Sequence, residues 1–122
     1  MKKIFIAGHK GLLGKSILNE FNKDSKYKVI TVTRRNLELT NFNKVLNFFK
    51  NNKIDFVINA AGLVGGIKKN IENQIEFLDT NYLIQSNLIK SAFKHNVKKF
   101  INVSSSCIYP AKSKQPLKEN YL

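Results

Sequence analysis

Three glycines at a spacing of three, Gly8, Gly11 and Gly14, form the segment "GHKGLLG" near the start of the chain. They lie between an apolar run typical of a strand and an amphipathic run typical of a helix. Glycine allows a tight turn and a close approach of backbone to a ligand, and the free N–H groups of a helix N-terminus attract a pyrophosphate. The GxxGxxG spacing therefore predicts dinucleotide binding, although it also suits a turn in another parallel α/β fold, such as a flavodoxin-like one.

Two arginines, Arg34 and Arg35, follow the second predicted strand, and the chain contains no others. An NAD site usually offers a carboxylate here to hold the ribose 2′-hydroxyl, whereas a guanidinium binds a 2′-phosphate bidentately. Lys10, inside the glycine loop, would add a positive charge to the same pocket. These residues favour NADP(H) over NAD(H), and the alternative is a pair of exposed charges at a strand end.

Three serines and the single cysteine follow the last predicted strand, in "NVSSSCIYP" at 102–110. The carboxyl ends of parallel strands face the ligand crevice of such a sheet, so these side chains are candidates for contacts with a nicotinamide or a substrate carbonyl. The same residues would also suit a polar turn, with Cys107 as a buried free thiol. The residues alone leave both interpretations open.

The elements that must position these groups follow from hydrophobic periodicity. Strands are predicted at 3–8, 27–33, 54–61 and 98–105, and helices at 12–23, 41–52 and 70–96, with Thr40 or Asn41 capping the second helix. This alternation predicts an α/β fold of the Rossmann type, a doubly wound parallel sheet with helices on both faces. The residues expected to share one side of their helix are Leu13, Ile17 and Phe21, then Phe42, Val45, Leu46 and Phe49, then Ile71, Ile75, Leu78, Tyr82, Gln85 and Ile89.

Composition narrows the class of protein. The 122 residues suit one domain, and the net charge of +13 comes mostly from lysines dispersed over the whole chain, which is typical of solvated faces rather than a nucleic-acid site. One cysteine excludes an internal disulfide and a cysteine-based zinc cluster. No apolar run approaches the roughly 18 residues of a membrane span. We therefore expect a cytoplasmic protein with no metal, nucleic-acid or membrane partner.

Several segments together resemble the GDP-L-fucose synthase family, the GDP-4-keto-6-deoxy-mannose epimerase/reductases of the extended short-chain dehydrogenase group. They are "IAGHKGLLGKSI", "VGGI" at 64–67, "NYLIQSNLIKSAF", and "VSSSCIYP" followed by "KQPLKENYL". The glycine motif alone would match the whole NAD-dependent epimerase/dehydratase superfamily. "GHKG", "VGGI" and "SSCIYP" in this order are much narrower, and the resemblance covers essentially all of the chain.

The resemblance implies an NADPH-dependent conversion of GDP-4-keto-6-deoxy-D-mannose to GDP-L-fucose, by epimerisation beside the ketone and then hydride reduction. It implies a serine, Ser105, that hydrogen-bonds the ketone, and a cysteine, Cys107, that acts as acid and base in the epimerisation. Full-length members are expected to be homodimers. The implied cofactor-binding residues are Gly8, His9, Lys10, Gly11, Leu12, Leu13 and Gly14 at the pyrophosphate, Lys10 with Arg34 at the 2′-phosphate, Ala61 along the cofactor, and Val103, Ser104, Ser105 and Ser106 near the nicotinamide.

Part of the family's machinery is missing from these residues. The family uses a tyrosine with a lysine four residues later, and none of the four tyrosines here has one. Neither histidine, His9 nor His95, matches the partner of the cysteine. We therefore expect residues 1–122 to be a truncated N-terminal NADP-binding domain without its C-terminal substrate domain, and with negligible turnover alone. The alternatives are another nucleotide-sugar epimerase or dehydratase of the same group, and a non-catalytic NADP-binding or basic nucleic-acid-binding module.

Overall fold

A four-stranded parallel sheet with helices on both faces organises the chain, as the computed structural model shows for all residues, 1–122. The predicted α/β, Rossmann-type doubly wound sheet is confirmed. The elements in chain order are β1 (Lys2–Ala7), α1 (Leu12–Phe21), β2 (Tyr27–Ile30), α2 (Phe42–Asn52), β3 (Phe56–Asn59), α3 (Ile67–Glu72), α4 (Gln74–Lys94) and β4 (Lys99–Asn102), followed by single 3-10 turns at Ser106–Ile108 and Glu119–Tyr121.

The strand order is β2-β1-β3-β4, and every neighbouring pair is parallel. The chain leaves β1 towards β2 on one side and then crosses back to place β3 on the other side. The strand order therefore reverses between β1 and β3. In open α/β sheets, ligands bind in a crevice outside the carboxyl ends of the strands at such a reversal. The segments after β1 and β3 begin at this point.

The alternation of side chains along β1 divides the core between the two faces of the sheet. Phe5 and Ala7 point towards α2 and α4, where the ring of Phe49 lies edge-on to Phe5 with 6.1 Å between the ring centroids. Ile4 and Ile6 point to the opposite face, which α1 covers. Because β1 is buried on both faces, its sequence is a continuous apolar run rather than an alternating one.

Three strands, β2, β3 and β4, are shorter than the sequence predicts. β2 ends at Ile30 rather than at residue 33, because its last partner is Phe5 and the chain of β1 turns away soon afterwards at Gly8. β3 and β4 likewise have four residues each. The residues that follow β2 leave the sheet and form part of the crevice wall. The predicted end of this strand is therefore wrong at the point where the candidate site begins.

The first two predicted helices are confirmed, with two exceptions on their apolar sides. Ile17 and Phe21 pack on the face that α1 covers, but Leu13 is 46% exposed. In α2, Val45 and Phe49 are buried and Leu46 is half-buried, but Phe42 is 38% exposed. The predicted capping of α2 is confirmed for Asn41, whose side-chain oxygen accepts the N–H of Lys44 at 3.0 Å.

The third predicted helix, at 70–96, is instead two helices. α3 ends and α4 begins around Asn73, whose φ of −131° and ψ of 40° lie outside the helical region. The side of α4 that faces the sheet carries Ile84, Leu88 and Ala92. The six residues expected to share one side, Ile71, Ile75, Leu78, Tyr82, Gln85 and Ile89, are all exposed.

Candidate dinucleotide-binding site

The turn after β1 requires glycine at Gly8. Its φ of +79° lies in the left-handed region, and a Cβ atom there would meet the backbone of Ala60, with the nitrogen of Ala61 only 2.6 Å away. The ends of β1 and β3 therefore approach each other closely enough that no side chain fits between them. This close contact lies at the point where the strand order reverses.

The third glycine brings α1 against the same turn. A Cβ on Gly14 would collide with the carbonyl group of Gly8, lying 2.7 Å from its carbon. Gly11 caps α1 without offering a side-chain acceptor, and the N–H groups of Leu12, Leu13 and Gly14 donate no backbone hydrogen bond. These free N–H groups fit a pyrophosphate, because the start of a helix attracts anions. The predicted tight turn matches the geometry at Gly8, and the close approach of backbone to a ligand stays a prediction.

A cleft of about 240 Å³ lies beside this turn. Complete ligand pockets usually enclose roughly 300–1,000 Å³, so the cleft suits one end of an extended ligand such as a dinucleotide. Leu12, Leu13 and Gly14 begin the adjacent helix but do not line the cleft. Six of the predicted cofactor-binding residues line it: Gly8, His9, Lys10, Gly11, Arg34 and Ala61.

Of the two arginines, only Arg34 lines the cleft. Its Nε donates a hydrogen bond to Oε2 of Glu38 at 3.0 Å, and its side chain is 77% exposed. The Arg34 guanidinium lowers the pKa of Glu38, mainly through this hydrogen bond and more weakly through its charge. Glu38 was not among the predicted site residues, because the i, i+4 signal for an ion pair belongs to helices and residues 34–36 form a turn.

Two asparagines that were not among the predicted site residues hold the wall formed by the segment after β3. Asn59 is 4% exposed, accepts the N–H of Ala61 at 3.0 Å and donates to the side-chain oxygen of Asn102 at 2.8 Å. From α4, Asn81 accepts the N–H of Leu63 at 2.7 Å and donates to the carbonyl of the same residue at 2.9 Å. The backbone around residues 60–63 is therefore tied to both β4 and α4.

The serine and cysteine segment lies apart from the cleft. Val103 donates its N–H to the carbonyl of Asn59 at 3.0 Å, and the Ser105 hydroxyl accepts the N–H of Cys107 at 3.2 Å. Cys107 is exposed, so the alternative of a buried thiol is wrong. None of the residues 103–107 lines the 240 Å³ cleft, and their assignment to the nicotinamide end and to catalysis stays a prediction.

The model of the NAD dependent epimerase/dehydratase family matches residues 4–122. The chain belongs to this family. It is 41% identical to "GDP-L-fucose synthase 1" of Arabidopsis thaliana over 120 residues, which are 98% of this chain and 37% of that protein. It is 37% identical to the GDP-L-fucose synthase of Escherichia coli K12 over 121 residues, 99% of this chain and 38% of that one. A GDP-mannoheptose C4 reductase from Campylobacter jejuni, solved with NADP bound, is 38% identical, with a TM-score of 0.92 over 99% of this chain and 38% of its own.

These similarities confirm the resemblance to the epimerase/dehydratase family. They also agree with the prediction of NADP(H), because a solved member that is 38% identical holds NADP. The chain spans less than two-fifths of the length of these relatives. None of its helices is long and apolar enough to cross a membrane.

Proposed function

We propose that this chain is the NADP(H)-binding part of a nucleotide-sugar epimerase/reductase that converts GDP-4-keto-6-deoxy-D-mannose to GDP-L-fucose. One observation carries the cofactor assignment: the close-packed Gly8 and Gly14 stand at the reversal of strand order, with Arg34 on the wall of the same cleft. The names of the relatives support a GDP-sugar as the substrate class. The GDP-fucose assignment rests on those relatives and on the motif "SSCIYP".

Different residues of the chain would bind different parts of the cofactor. The free N–H groups at the start of α1 would hold the pyrophosphate, and Arg34 with Lys10 would hold the 2′-phosphate. When bound, the nicotinamide supplies the hydride for reduction of the ketone. The Ser105 hydroxyl would donate a hydrogen bond to the ketone oxygen, and the Cys107 thiol would exchange a proton with the carbon beside the ketone.

We further propose that residues 1–122 form an N-terminal cofactor domain, and that the tyrosine–lysine pair and the substrate region lie outside these residues. The expected homodimer of the whole enzyme would bury the exposed side of α4. That side presents Ile75, Leu78 and Tyr82, each more than 60% exposed, and contiguous exposed apolar surface often marks an interaction site.

Titration of the 122-residue chain with NADPH, NADH and duplex DNA at moderate salt separates this proposal from its alternatives. We expect NADPH to bind more tightly than NADH. Salt-sensitive DNA binding without nucleotide binding would instead identify a basic nucleic-acid-binding module.

Substitution of Arg34 tests the assignment of the 2′-phosphate. Arg34→Ala should weaken NADPH binding about tenfold, because it removes charge-assisted hydrogen bonds worth roughly 1.5 kcal/mol, and should change NADH binding little. Arg35→Ala is the matched control, since it removes the same charge from a neighbouring residue that does not line the cleft. Equal losses for NADPH and NADH in Arg34→Ala would contradict the assignment.

A further inference from the structure

A carboxylate and a guanidinium share one wall of the dinucleotide cleft. Arg34 and Glu38 both line it and form an ion pair with 3.0 Å between Nε and Oε2. A guanidinium in such a cleft suits the 2′-phosphate of NADP(H), whereas a carboxylate suits the ribose 2′-hydroxyl of NAD(H). The cleft therefore contains a group that suits each cofactor, and these two groups are paired with each other.

Glu38 is the more firmly held member of the pair. Its side chain is 33% exposed, against 77% for Arg34, and its second oxygen, Oε1, accepts the N–H of Thr40 at 3.4 Å. Leu37, the preceding residue, is buried in the core. The N–H of Leu37 also bonds the carbonyl of Thr33, which closes the turn between the two charged residues. The carboxylate therefore stays at the wall, while the exposed guanidinium is free to change partner.

We propose that Glu38 sets the preference between NADP(H) and NAD(H) by competing with the 2′-phosphate for Arg34. A bound 2′-phosphate must draw the guanidinium from Glu38 and then carries its negative charge close to the carboxylate. NADH has no such phosphate and leaves the pair intact. Glu38 therefore opposes NADPH selectively, and its removal widens the preference for NADPH. This inference rests on the proposed binding of NADP(H) in this cleft.

The isosteric variant Glu38→Gln tests the competition. It removes the charge and keeps the shape of the side chain. We expect the dissociation constant of NADPH to fall about 1.5-fold to fivefold, the range that exposed charge pairs produce, and that of NADH to stay the same or rise. The ratio of the NADH dissociation constant to the NADPH dissociation constant, measured by fluorescence titration of the 122-residue chain, therefore increases.

A matched control is available on α1. Glu20 forms the same kind of exposed ion pair, with Lys23 at 2.7 Å, and does not line the cleft. Glu20→Gln makes the same change in net charge, so it should leave the ratio unaltered. The double variant Arg34→Ala/Glu38→Gln should gain less over Arg34→Ala alone than Glu38→Gln gains over the parent chain, because without Arg34 only the repulsion between carboxylate and phosphate remains to be relieved.

The outcomes separate this inference from the proposed function. If the parent chain binds neither NADPH nor NADH, the cofactor assignment itself fails. If both bind and Glu38→Gln leaves the ratio unchanged or lowers it, the competition is refuted and Glu38 instead serves to orient Arg34. A gain of undiminished size in the double variant also refutes it. Thermal unfolding without nucleotide should shift by only a few degrees in Glu38→Gln, since an exposed pair contributes little to stability.

Discussion

Replacement of Gly14 by alanine should destabilise the chain, although Gly14 lies in a helix. Helix propensity alone predicts the opposite, because alanine is favoured over glycine by about 1 kcal/mol in a helix interior. In this structure the new Cβ would stand 2.7 Å from the carbonyl carbon of Gly8 and nearer still to its oxygen. Ordinary contacts between carbon atoms are about 3.5–4.0 Å. The start of α1 and the turn after β1 must therefore separate by about 1 Å.

The clash involves backbone on both sides, so no side-chain rotation relieves it. Overpacking of this kind costs about 1–3 kcal/mol, and we expect the upper end of that range. After subtracting the gain of about 1 kcal/mol in propensity, the free energy of unfolding should fall by about 2 kcal/mol. For a domain of this size, that loss lowers Tm by about 8 °C.

Thermal and urea unfolding followed by circular dichroism measure the effect. Gly11→Ala is the matched control in the same loop, because its Cβ would meet only the Gly8 oxygen, at 3.4 Å, and its φ of −71° suits any residue. Its free energy of unfolding should change by less than about 1 kcal/mol. If Gly14→Ala is as stable as the parent chain or more stable, the close approach of α1 to Gly8 is wrong.

Two further predictions concern stability. Hydrogen bonds from Lys98 at 2.7 Å and from the N–H of Lys3 at 2.9 Å hold the pKa of Asp55 below its usual value, so its contribution is present above about pH 4 and disappears as the pH falls through the lowered pKa. Asp55→Asn should therefore flatten the loss of urea stability below pH 4, and an unchanged pH profile would count against the pair. Phe49→Ala, at a residue 1% exposed, should cost about 3–5 kcal/mol. Phe93→Ala, at a residue 87% exposed, should change stability by less than about 0.5 kcal/mol in the same urea titration, and equal losses would contradict the buried position of Phe49.

The sheet could be predicted from the sequence because burial on both faces makes its central strands continuously apolar. The break at Asn73 could not. Its side chain donates to the carbonyl of Lys69 at 3.1 Å, a bond that asparagine also makes within unbroken helices. The buried side of α4 was equally hidden, since apolar residues occur on more than one side of it. Ile84, Leu88 and Ala92 are the buried ones because α2 and the sheet lie there, and that is decided by tertiary structure.

At the site, the spacing of the glycines predicted the tight turn at Gly8 because that turn depends on a local backbone constraint. The charged wall was predicted only in part. Arg34 was interpreted as standing where a carboxylate would be, but Glu38 is also there. The turn that closes from Thr33 to Leu37 brings position 38 back beside position 34. A turn of this kind has no hydrophobic period, so the sequence pattern of strands and helices did not reveal the pairing.

Asn59 explains how the two separated parts of the proposed site are positioned together. A buried amide is costly unless it is hydrogen-bonded, and Asn59 at the end of β3 meets this requirement in two directions. It accepts the N–H of Ala61, in the segment that closes on Gly8, and donates to Asn102, the last residue of β4. The segment with Ser105 and Cys107 begins directly after Asn102. The side chain of Asn59 therefore bonds both the backbone that closes on the glycine turn and the last residue before the proposed catalytic segment.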